Sequence, residues 1–517
     1  MPDTLLALDN GTQSVRALLF DGDGNLLFRS QVKFDPVYHA AQPGYAEQPA
    51  EYYWDCLVQA VRGLWMQGAQ PRDVIGVTLT TQRGTVVPVD RDGEALRSAI
   101  TWLDQREARK VPPLSLHWQA LFRAIKATDA LQHLGRQAEA NWLAENEPDT
   151  MRRMHKFLLL SGYLTHRLTG QFKDAVACQV GYIPFDFRRQ DWSRPWDWKW
   201  EAIRLRREHL PDLVPAGGQL GTVTAAAAAA TGIPEGLPLI ASGADKACEV
   251  LGSGCLDPRL GALSFGTTAT INTIRRNYVE VTPLLPPYPA PVPGHYCTEV
   301  QTSRGFWMVN WFREEFGAGD MERARLETVP VEQIFEEHLR HTPAGNLGLM
   351  LQPYWSPGVR EPGREAKGAL IGFGDVHGRE HVYRAIIEGL MYALRQSKER
   401  IEQRARVKLK GLRVSGGGAQ SDGVVQIAAN VFGLPVERPH TTETSGLGAA
   451  ICAAVGLGLQ PDFRMAVERM TRIGHTVRPN RPEQATYDQL YNRVYKPLYT
   501  QLQPLYQEIR SITGYPR

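Results

Sequence analysis

The chain is poor in the features that would send it to several large protein classes. Its 517 residues include only six cysteines, Cys56, Cys178, Cys248, Cys255, Cys297 and Cys452, with no CxxC pair and no metal-ligand spacing. That pattern offers neither a disulfide framework nor a zinc site, so reduced and mostly buried thiols are expected. No apolar run approaches the roughly 18 residues that a membrane span requires. Charge of one sign is also lacking. A net charge of +3, with Lys and Arg spread along the chain, gives no electrostatic case for nucleic acid. The first residues, Met1-Pro2-Asp3-Thr4, do not have the basic-then-apolar layout of a signal peptide. The expectation is a cytoplasmic protein with no nucleic-acid partner and no membrane partner.

With 43% hydrophobic and 22% charged residues the composition is that of a globular protein, and the length calls for two domains. The chain is organised around its first thirty residues. An apolar strand (5–8) runs into the turn Asp9-Asn10-Gly11-Thr12-Gln13-Ser14 and out into a second strand (15–20), and Asp21-Gly22-Asp23-Gly24 turns it into a third (25–31). Gly11 lets the backbone approach a ligand, while Thr12, Gln13 and Ser14 add hydroxyl, amide and N–H donors. Asp9, at a strand end beside those donors, has the chemistry to hold hydrated Mg²⁺ against a phosphate. An ordinary hairpin with turn-forming polar residues is the competing reading. A second strand, Gly-Thr turn, strand pattern follows much later, at Phe265-Gly266-Thr267-Thr268-Ala269.

Between and beyond these hairpins, apolar spacing predicts a helix over 51–65 and a buried strand over 74–80 that delivers Thr81-Gln82-Arg83-Gly84 to its carboxyl end, where open α/β sheets bind ligands. A strand over 85–89 follows, and Ile100 to Arg106 carries Trp102 to another strand end. The stretch 111–215 reads as helical and rich in aromatics. Trp192, Trp196, Trp198 and Trp200 are expected to pack in a core rather than stack on sugar. Ala225 to Ala230 reads as one short helix capped by Thr224 and ended by Gly232. A strand over 237–241 leads to Ser242-Gly243-Ala244-Asp245-Lys246 and a helix over 247–251. A single domain boundary is expected near 241, giving domains 1–241 and 242–517. The Pro-rich 283–293 reads as a surface loop. Helix 380–403 leads to a strand ending in Ser415-Gly416-Gly417-Gly418-Ala419-Gln420-Ser421-Asp422, ahead of a helix over 424–431. A triple glycine between strand and helix lets backbone N–H groups face an anion or a flat base.

The order hairpin, hairpin, Gly-rich turn resembles the FGGY carbohydrate kinases. The likeness covers nearly the whole chain: Gln82, 102–106, Gly243-Ala244-Asp245, 265–268, 352–354 through 367–368, 415–422 and 443–450. The spacing from Gln82 to Asp90 is similar to that in both glycerol and xylulose kinases. The resemblance implies an α/β, two-domain actin-like ATPase (ribonuclease H-like) fold with a cleft between the domains. It implies ATP and Mg²⁺ as cofactors, a small sugar or polyol as substrate, and a homodimer as a family habit. By it Asp245 is the catalytic base, with an N-cap role as the bland alternative. Asp9 holds Mg²⁺. Gly11, Thr12, Gln13, Gly266, Thr267 and Thr268 meet the phosphates, and Gly417, Gly418, Ala419 and Asp422 line the adenine and ribose site. Gln82, Arg83, Trp102, Asp245 and Lys246 belong to the acceptor side.

Four departures bear on the acceptor. Gly84 stands where glycerol kinases carry glutamate, and Arg83-Gly84 stands where xylulose kinases carry Met-His. Lys246 replaces Asn or Gln after the aspartate, and Glu139 replaces a lysine ahead of Trp142. Gly84 leaves room for a longer acceptor, Arg83 offers a fork of donors, and Lys246 could favour ionised Asp245 or touch an anionic group. The expectation is phosphorylation of a five- or six-carbon ketose or polyol, with glycerol kinase as the alternative. An actin-like chaperone or filament ATPase is the alternative from another class, disfavoured because such proteins lack the set Gln82, Trp102 and Asp245.

Overall fold

The computed structural model describes residues 3–302, 304–356, 358 and 362–516. Met1 and Pro2, and Pro357, Val359, Arg360 and Glu361 within the 352–368 stretch, lie outside the described residues. By contacts the chain divides differently from a single cut near 241. One compact unit comprises Met1–Leu256, Ile274–Cys297 and Glu443–Arg472, and the other Asp257–Thr273, Thr298–Thr442 and Ile473–Arg517.

In the first unit the opening strands Thr4–Asn10, Ser14–Asp21 and Leu26–Lys33 form an antiparallel meander. Thr4–Asn10 then pairs in parallel with Val74–Thr81, which pairs in parallel with Pro238–Ala241. Every residue of Thr4–Asn10 is buried, because both faces of this strand are covered. Helix Ala50–Met66 covers one side with Tyr53, Leu57, Ala60, Val61 and Leu64. On the same strand packs helix Thr444–Gly456, brought from late in the chain. The three parallel strands end in register, Asp9 opposite Thr80 and Ala241 opposite Leu79, so one sheet edge carries Asp9–Gly11, Gln82–Gly84 and Ser242–Asp245.

The second unit repeats the plan. Leu260–Phe265 and Ala269–Arg275 are an antiparallel hairpin, and Leu260–Phe265 pairs in parallel with Gly411–Ser415, then Val436–Pro439. The register sets Ser264 opposite Ser415, which places the Gly266–Thr268 turn and the Gly-rich turn side by side. Helix Arg379–Ala405 supplies a long buried stripe, including Ala385, Ile386, Leu390 and Leu394.

Three expectations are corrected. The 111–215 stretch is mainly helical to Thr169 and then becomes short strands, among them Lys173–Ala175 and Asp212–Val214, interspersed with the single-turn helix Lys199–Ala202 and the 3-10 turn Arg207–His209. A strand, Lys156–Leu159, also interrupts the helices. The paired residues supply what the local apolar pattern lacks. Trp192 is buried and Trp198 and Trp200 pack on the same core, but Trp196 is 69% exposed. The Pro-rich segment is not all surface. Tyr288–Pro289 pairs with Tyr296 and Cys297, and Ala290 and Val292 are buried. Pro289 is tolerated there in a two-residue strand. The six cysteines are buried and form no disulfide, and Thr224 Oγ1 caps its alanine helix at Ala227 N, 3.2 Å, with Gly232 at φ +79° ending it.

The Gly446-Leu447-Gly448-Ala449-Ala450 run serves close approach. A Cβ on Gly448 would stand 1.9 Å from the Cys248 carbonyl oxygen, whereas one on Gly446 would meet the mobile end of Leu18, Cδ1 at 2.2 Å. Backbone does not yield as a leucine rotamer does. Gly448→Ala is therefore expected to cost about 3 kcal/mol and Gly446→Ala under about 1 kcal/mol in chemical denaturation. Equal costs would show that the helix pair Asp245–Gly252 and Thr444–Gly456 can separate freely.

Candidate active site

At the edge of the first unit's sheet the turn after Asp9 is held open. Gly11 N donates to Ser14 O at 3.0 Å, and no acceptor takes the backbone N–H groups of Thr12 and Gln13 among the described residues. A Cβ on Gly11 would meet only Ser14 O, at 3.6 Å, so open space stands beside the turn. Trp102 Nε1 donates to Thr12 Oγ1 at 2.9 Å, which ties this turn to the loop after Ile100. Asn10 is fully buried with neither side-chain amide atom hydrogen-bonded.

The last parallel strand feeds the loop that presents Asp245. Thr80 Oγ1 donates to Gly243 O at 2.8 Å, Ser242 Oγ to Leu79 O at 2.6 Å, and Ala244 N to Ala177 O at 3.0 Å. Asp245 is the first residue of its helix, not its cap. Ala244 occupies the cap position, and among the described residues Asp245 Oδ1 accepts only from the adjacent Lys246 N, 2.6 Å. Burial raises the Asp245 carboxyl above its usual range, while Arg83 and Lys246 pull it back. The Lys246 ammonium meets Glu249 Oε2 on its own helix at 2.8 Å.

Asp9 sits in a chain of alternating charge. Arg16 Nη1 lies 3.2 Å from Asp9 Oδ2, Arg16 Nε 3.6 Å from Glu443 Oε2, and Arg29 Nε 3.1 Å from Glu443 Oε1. Burial raises Asp9 to about 7; Arg16 opposes the rise, and Asp245 and Glu443 add to it. Three acids thus act on one another at this edge.

The acceptor-side residues gather around the loop after Thr81. Gln82 N donates to Asn10 O at 2.8 Å, and the Arg83 guanidinium stacks over Tyr288 with 5.2 Å to the ring centroid. Gly84 has φ +66°, a conformation that side chains other than glycine's rarely adopt, and its missing Cβ would stand 3.5 Å from Trp102 Cβ. Trp102 itself is 43% exposed.

In the second unit the three glycines have different reasons. Gly416 has φ +88° and a Cβ there would be 2.8 Å from Phe265 O. One on Gly418 would be 2.4 Å from Phe306 Cε1, and that ring stacks on Phe265 at 4.8 Å. Gly417 has nothing within 4 Å, so its face is open. The following helix, Asp422–Phe432, has its N-terminus closed by the chain's own acid. Glu336 accepts from Ser421 Oγ at 2.5 Å and from Gly423 N at 2.7 Å. A flat base over Gly417 therefore suits this turn better than an anion at the helix end. Arg438 braces it, Nε to Ala419 O at 2.6 Å and Nη1 to Asp422 Oδ1 at 2.5 Å. Gly266 leaves space like Gly11, its Cβ meeting only Thr268 O at 3.7 Å, and Thr267 O accepts from Trp307 N at 3.4 Å.

These residues fit a nucleotide with Mg²⁺. The first unit offers an open Gly-Thr turn beside Asp9, and the second unit by itself offers an open Gly-Thr turn and an open glycine face. Among the described residues no group of three or more His, Cys, Asp and Glu is set to hold a metal alone. Mg²⁺ in phosphoryl-transfer sites needs only one or two carboxylates, because it keeps waters and takes phosphate oxygens, and Asp9 is such a carboxylate.

Sequence reasoning gave no role to Arg16, Glu443, Tyr288 and Arg438. Arg16 was within reach, since the hairpin register pairs it with Asp9; the others come from distant segments. Truncating Glu443 leaves Arg16, 31% exposed, and Arg29, 44% exposed, without this partner. Glu443→Ala is expected to cost about 1–2 kcal/mol in urea unfolding, because two ion pairs to a buried carboxylate are lost while both arginines stay in reach of water. Arg29→Ala, at a half-exposed end, should cost under about 1 kcal/mol. A Glu443→Ala protein as stable as wild type would show that the charge chain contributes nothing to folding.

Known proteins resemble the chain over nearly its whole length. The N-terminal domain model of the FGGY family of carbohydrate kinases matches residues 4–252, and the C-terminal domain model matches residues 261–457. An uncharacterized sugar kinase of Escherichia coli strain K12, YgcE, is 28% identical over 96% of this chain and 93% of its own length. A xylulose kinase of Lactococcus lactis is 27% identical over 96% of each chain, and relatives named glycerol kinase match as well. The solved xylulose kinase of Rhodospirillum rubrum superposes with a TM-score of 0.80 at 24% identity, over 98% of this chain and 100% of that one, which shows the two-domain actin-like fold. The chain belongs to the FGGY family of carbohydrate kinases and is an ATP-dependent carbohydrate kinase that uses ATP with Mg²⁺.

Proposed function

We propose that the protein phosphorylates a hydroxyl of a five- or six-carbon ketose or polyol, with Asp245 as the general base. The observation that carries this reading is the placement of Asp245. It stands at the end of the parallel strands, unused as a helix cap, and is electrostatically tied to Arg83 on one side and Asp9 on the other.

ATP would supply the phosphoryl group, and Mg²⁺ would offset the negative charge on its oxygens so that the γ-phosphorus can be attacked. The acceptor hydroxyl oxygen forms a bond to the γ-phosphorus as the bond from that phosphorus to the ADP oxygen breaks, and Asp245 takes the hydroxyl proton. Burial favours proton acceptance at Asp245, while Arg83 and Lys246 keep it ionised beforehand. Arg83, steadied on Tyr288, offers N–H donors to acceptor oxygens. Gln82 and Trp102 complete the acceptor side, with Thr12 as the bridge to the phosphate turn. Asp9 would hold Mg²⁺ through its bound waters. In the first unit the N–H groups at Thr12 and Gln13 are open to phosphate oxygens, and in the second unit the Gly266-Thr267-Thr268 turn has the same chemistry. Gly417, Gly418 and Ala419 face the adenine, and Asp422, 80% exposed at its side chain, the ribose.

A glycerol kinase is the second reading, favoured by Arg83. The left-handed backbone at Gly84 supports the longer acceptor instead. Glutamate there would be strained, and the place of an acid against a small polyol is empty.

Two variants test the assignment. Asp245→Asn should lose about 10²–10⁴-fold in kcat toward any accepted sugar, with ADP affinity by calorimetry unchanged. Gly417→Ala should keep the wild-type Tm, because its Cβ enters open space, yet bind ADP about tenfold more weakly. Near wild-type turnover in Asp245→Asn would make Asp245 a structural residue. Unchanged ADP binding in Gly417→Ala would take the base away from that face.

A further inference from the structure

We infer that Glu139 is a specificity-determining acid on the acceptor side, selecting an uncharged sugar or polyol over a sugar acid of the same length. This rests on the acceptor site proposed above and names the chemistry at its far end.

Glu139 opens the helix Glu139–Asn146 and is only partly buried. No other residue gives its carboxyl a hydrogen bond among the described residues, and its oxygens are not among the sealed, unpartnered polar atoms. A carboxyl enclosed by protein, in touch with solvent and without a partner has the setting of a pocket wall. Its neighbours lead back to the chemistry. The Tyr182 phenol feels both Glu139 and Tyr288. Tyr288 carries the Arg83 guanidinium, and Arg83 bears on Asp245. Tyr182 follows Gly181, whose Cβ, if present, would stand 3.9 Å from Gly84 Cα, and Val180 O lies 3.9 Å from a Cβ placed on Gly84. The Val180-Gly181-Tyr182 segment therefore abuts the acceptor loop on one side and Glu139 on the other.

Arg106, the cation nearest Glu139 in this group, already faces two carboxylates, Asp104 at 2.6 Å and Glu47 at 2.6 Å. A carboxylate-bearing acceptor would meet three acids here, Glu139, Asp104 and Glu47, against the single guanidinium of Arg106, of which Nη1 alone lacks a hydrogen bond, at a buried-charge cost. A hydroxyl or carbonyl group meets a partner in either state of Glu139. The ionised form accepts from O–H, and the protonated form donates to an oxygen. Burial pushes Glu139 up to about 8, so both forms are at hand near neutrality, and neither can neutralise an anion.

The test takes the full-length protein and measures ATP-dependent ADP release on xylulose, ribulose, xylitol and arabinitol against xylonate and gluconate. Wild type should prefer its best neutral acceptor over the aldonates by about 100-fold in kcat/KM. Glu139→Ala should raise KM for that acceptor about tenfold with kcat and ADP affinity little changed. Glu139→Gln should retain most of the affinity. Glu139→Lys should move the neutral-to-aldonate ratio about tenfold toward the aldonates. A wild type that takes aldonates as readily as polyols overturns the inference. So do Glu139→Ala and Glu139→Gln proteins with wild-type KM and an unmoved ratio. A wild type that binds ADP yet phosphorylates none of the panel would fail the functional reading itself, and this inference with it.

Discussion

The structure of the first unit turns on a buried acid at the end of its central strand. Asp9 is placed there by a run of apolar residues with covered faces, so its carboxylate loses water before it gains any partner. Two further acids, Asp245 and Glu443, bear on it. An arrangement like this survives only with cations built in, and the β-hairpin register delivers the first by setting Arg16 directly opposite Asp9. Glu443 then holds Arg16 and Arg29 together, so charges alternate outward from the buried acid to the surface. The same placement that is costly for folding is useful chemically. An under-solvated carboxylate is a ready ligand for a hard cation and its waters.

Glycine plays two opposite parts around these sites. At Gly448, Gly252, Gly416 and Gly418 a side chain would collide with the protein's own atoms, at 1.9, 2.0, 2.8 and 2.4 Å. Those glycines draw helices and turns together and fix where the strand-end loops lie. At Gly11, Gly266 and Gly417 nothing crowds the missing Cβ closer than 3.6 Å. Packing does not explain these three, and each stands beside a polar turn at a sheet edge. Sorting glycines by what their Cβ would meet separates the scaffold from the surfaces left open to a ligand.

Much of this was legible in the sequence, and the reason is locality. The two hairpins, the Gln82 strand end, the alanine helix with its Thr224 cap and the Gly-rich turn are each set within a dozen residues, where strand pattern and turn chemistry act directly. The membership of Glu443–Arg472 in the first unit was not legible, because its helix earns its place through contact with strands some four hundred residues earlier. The short strands after Thr169 failed for the same reason. Two- and three-residue strands such as Lys173–Ala175 carry no period of their own and exist only in their pairing. Trp196 was misjudged because a cluster of tryptophans says that a core is near, without saying which one is left outside.

The acceptor side shows most sharply where local reading stops. Its residues come from the loop at 82–84, from Trp102, from the start of a helix at Glu139, from 180–182 and from a Pro-rich segment at Tyr288, and no two of these stretches constrain each other along the chain. Gly84 illustrates the difference. From the sequence it is a missing carboxylate, a hole where a side chain should be. In the fold it is a left-handed residue beside Trp102 and Val180, so the backbone there cannot readily take an acid at all. An enzyme whose acceptor loop is locked in that conformation has to find its acidic or polar contact on another element. Glu139, which bears electrostatically on Tyr182, is the acid proposed for that contact. On the proposed reading, the substitution at one position and the replacement of lysine at another belong to the same acceptor side.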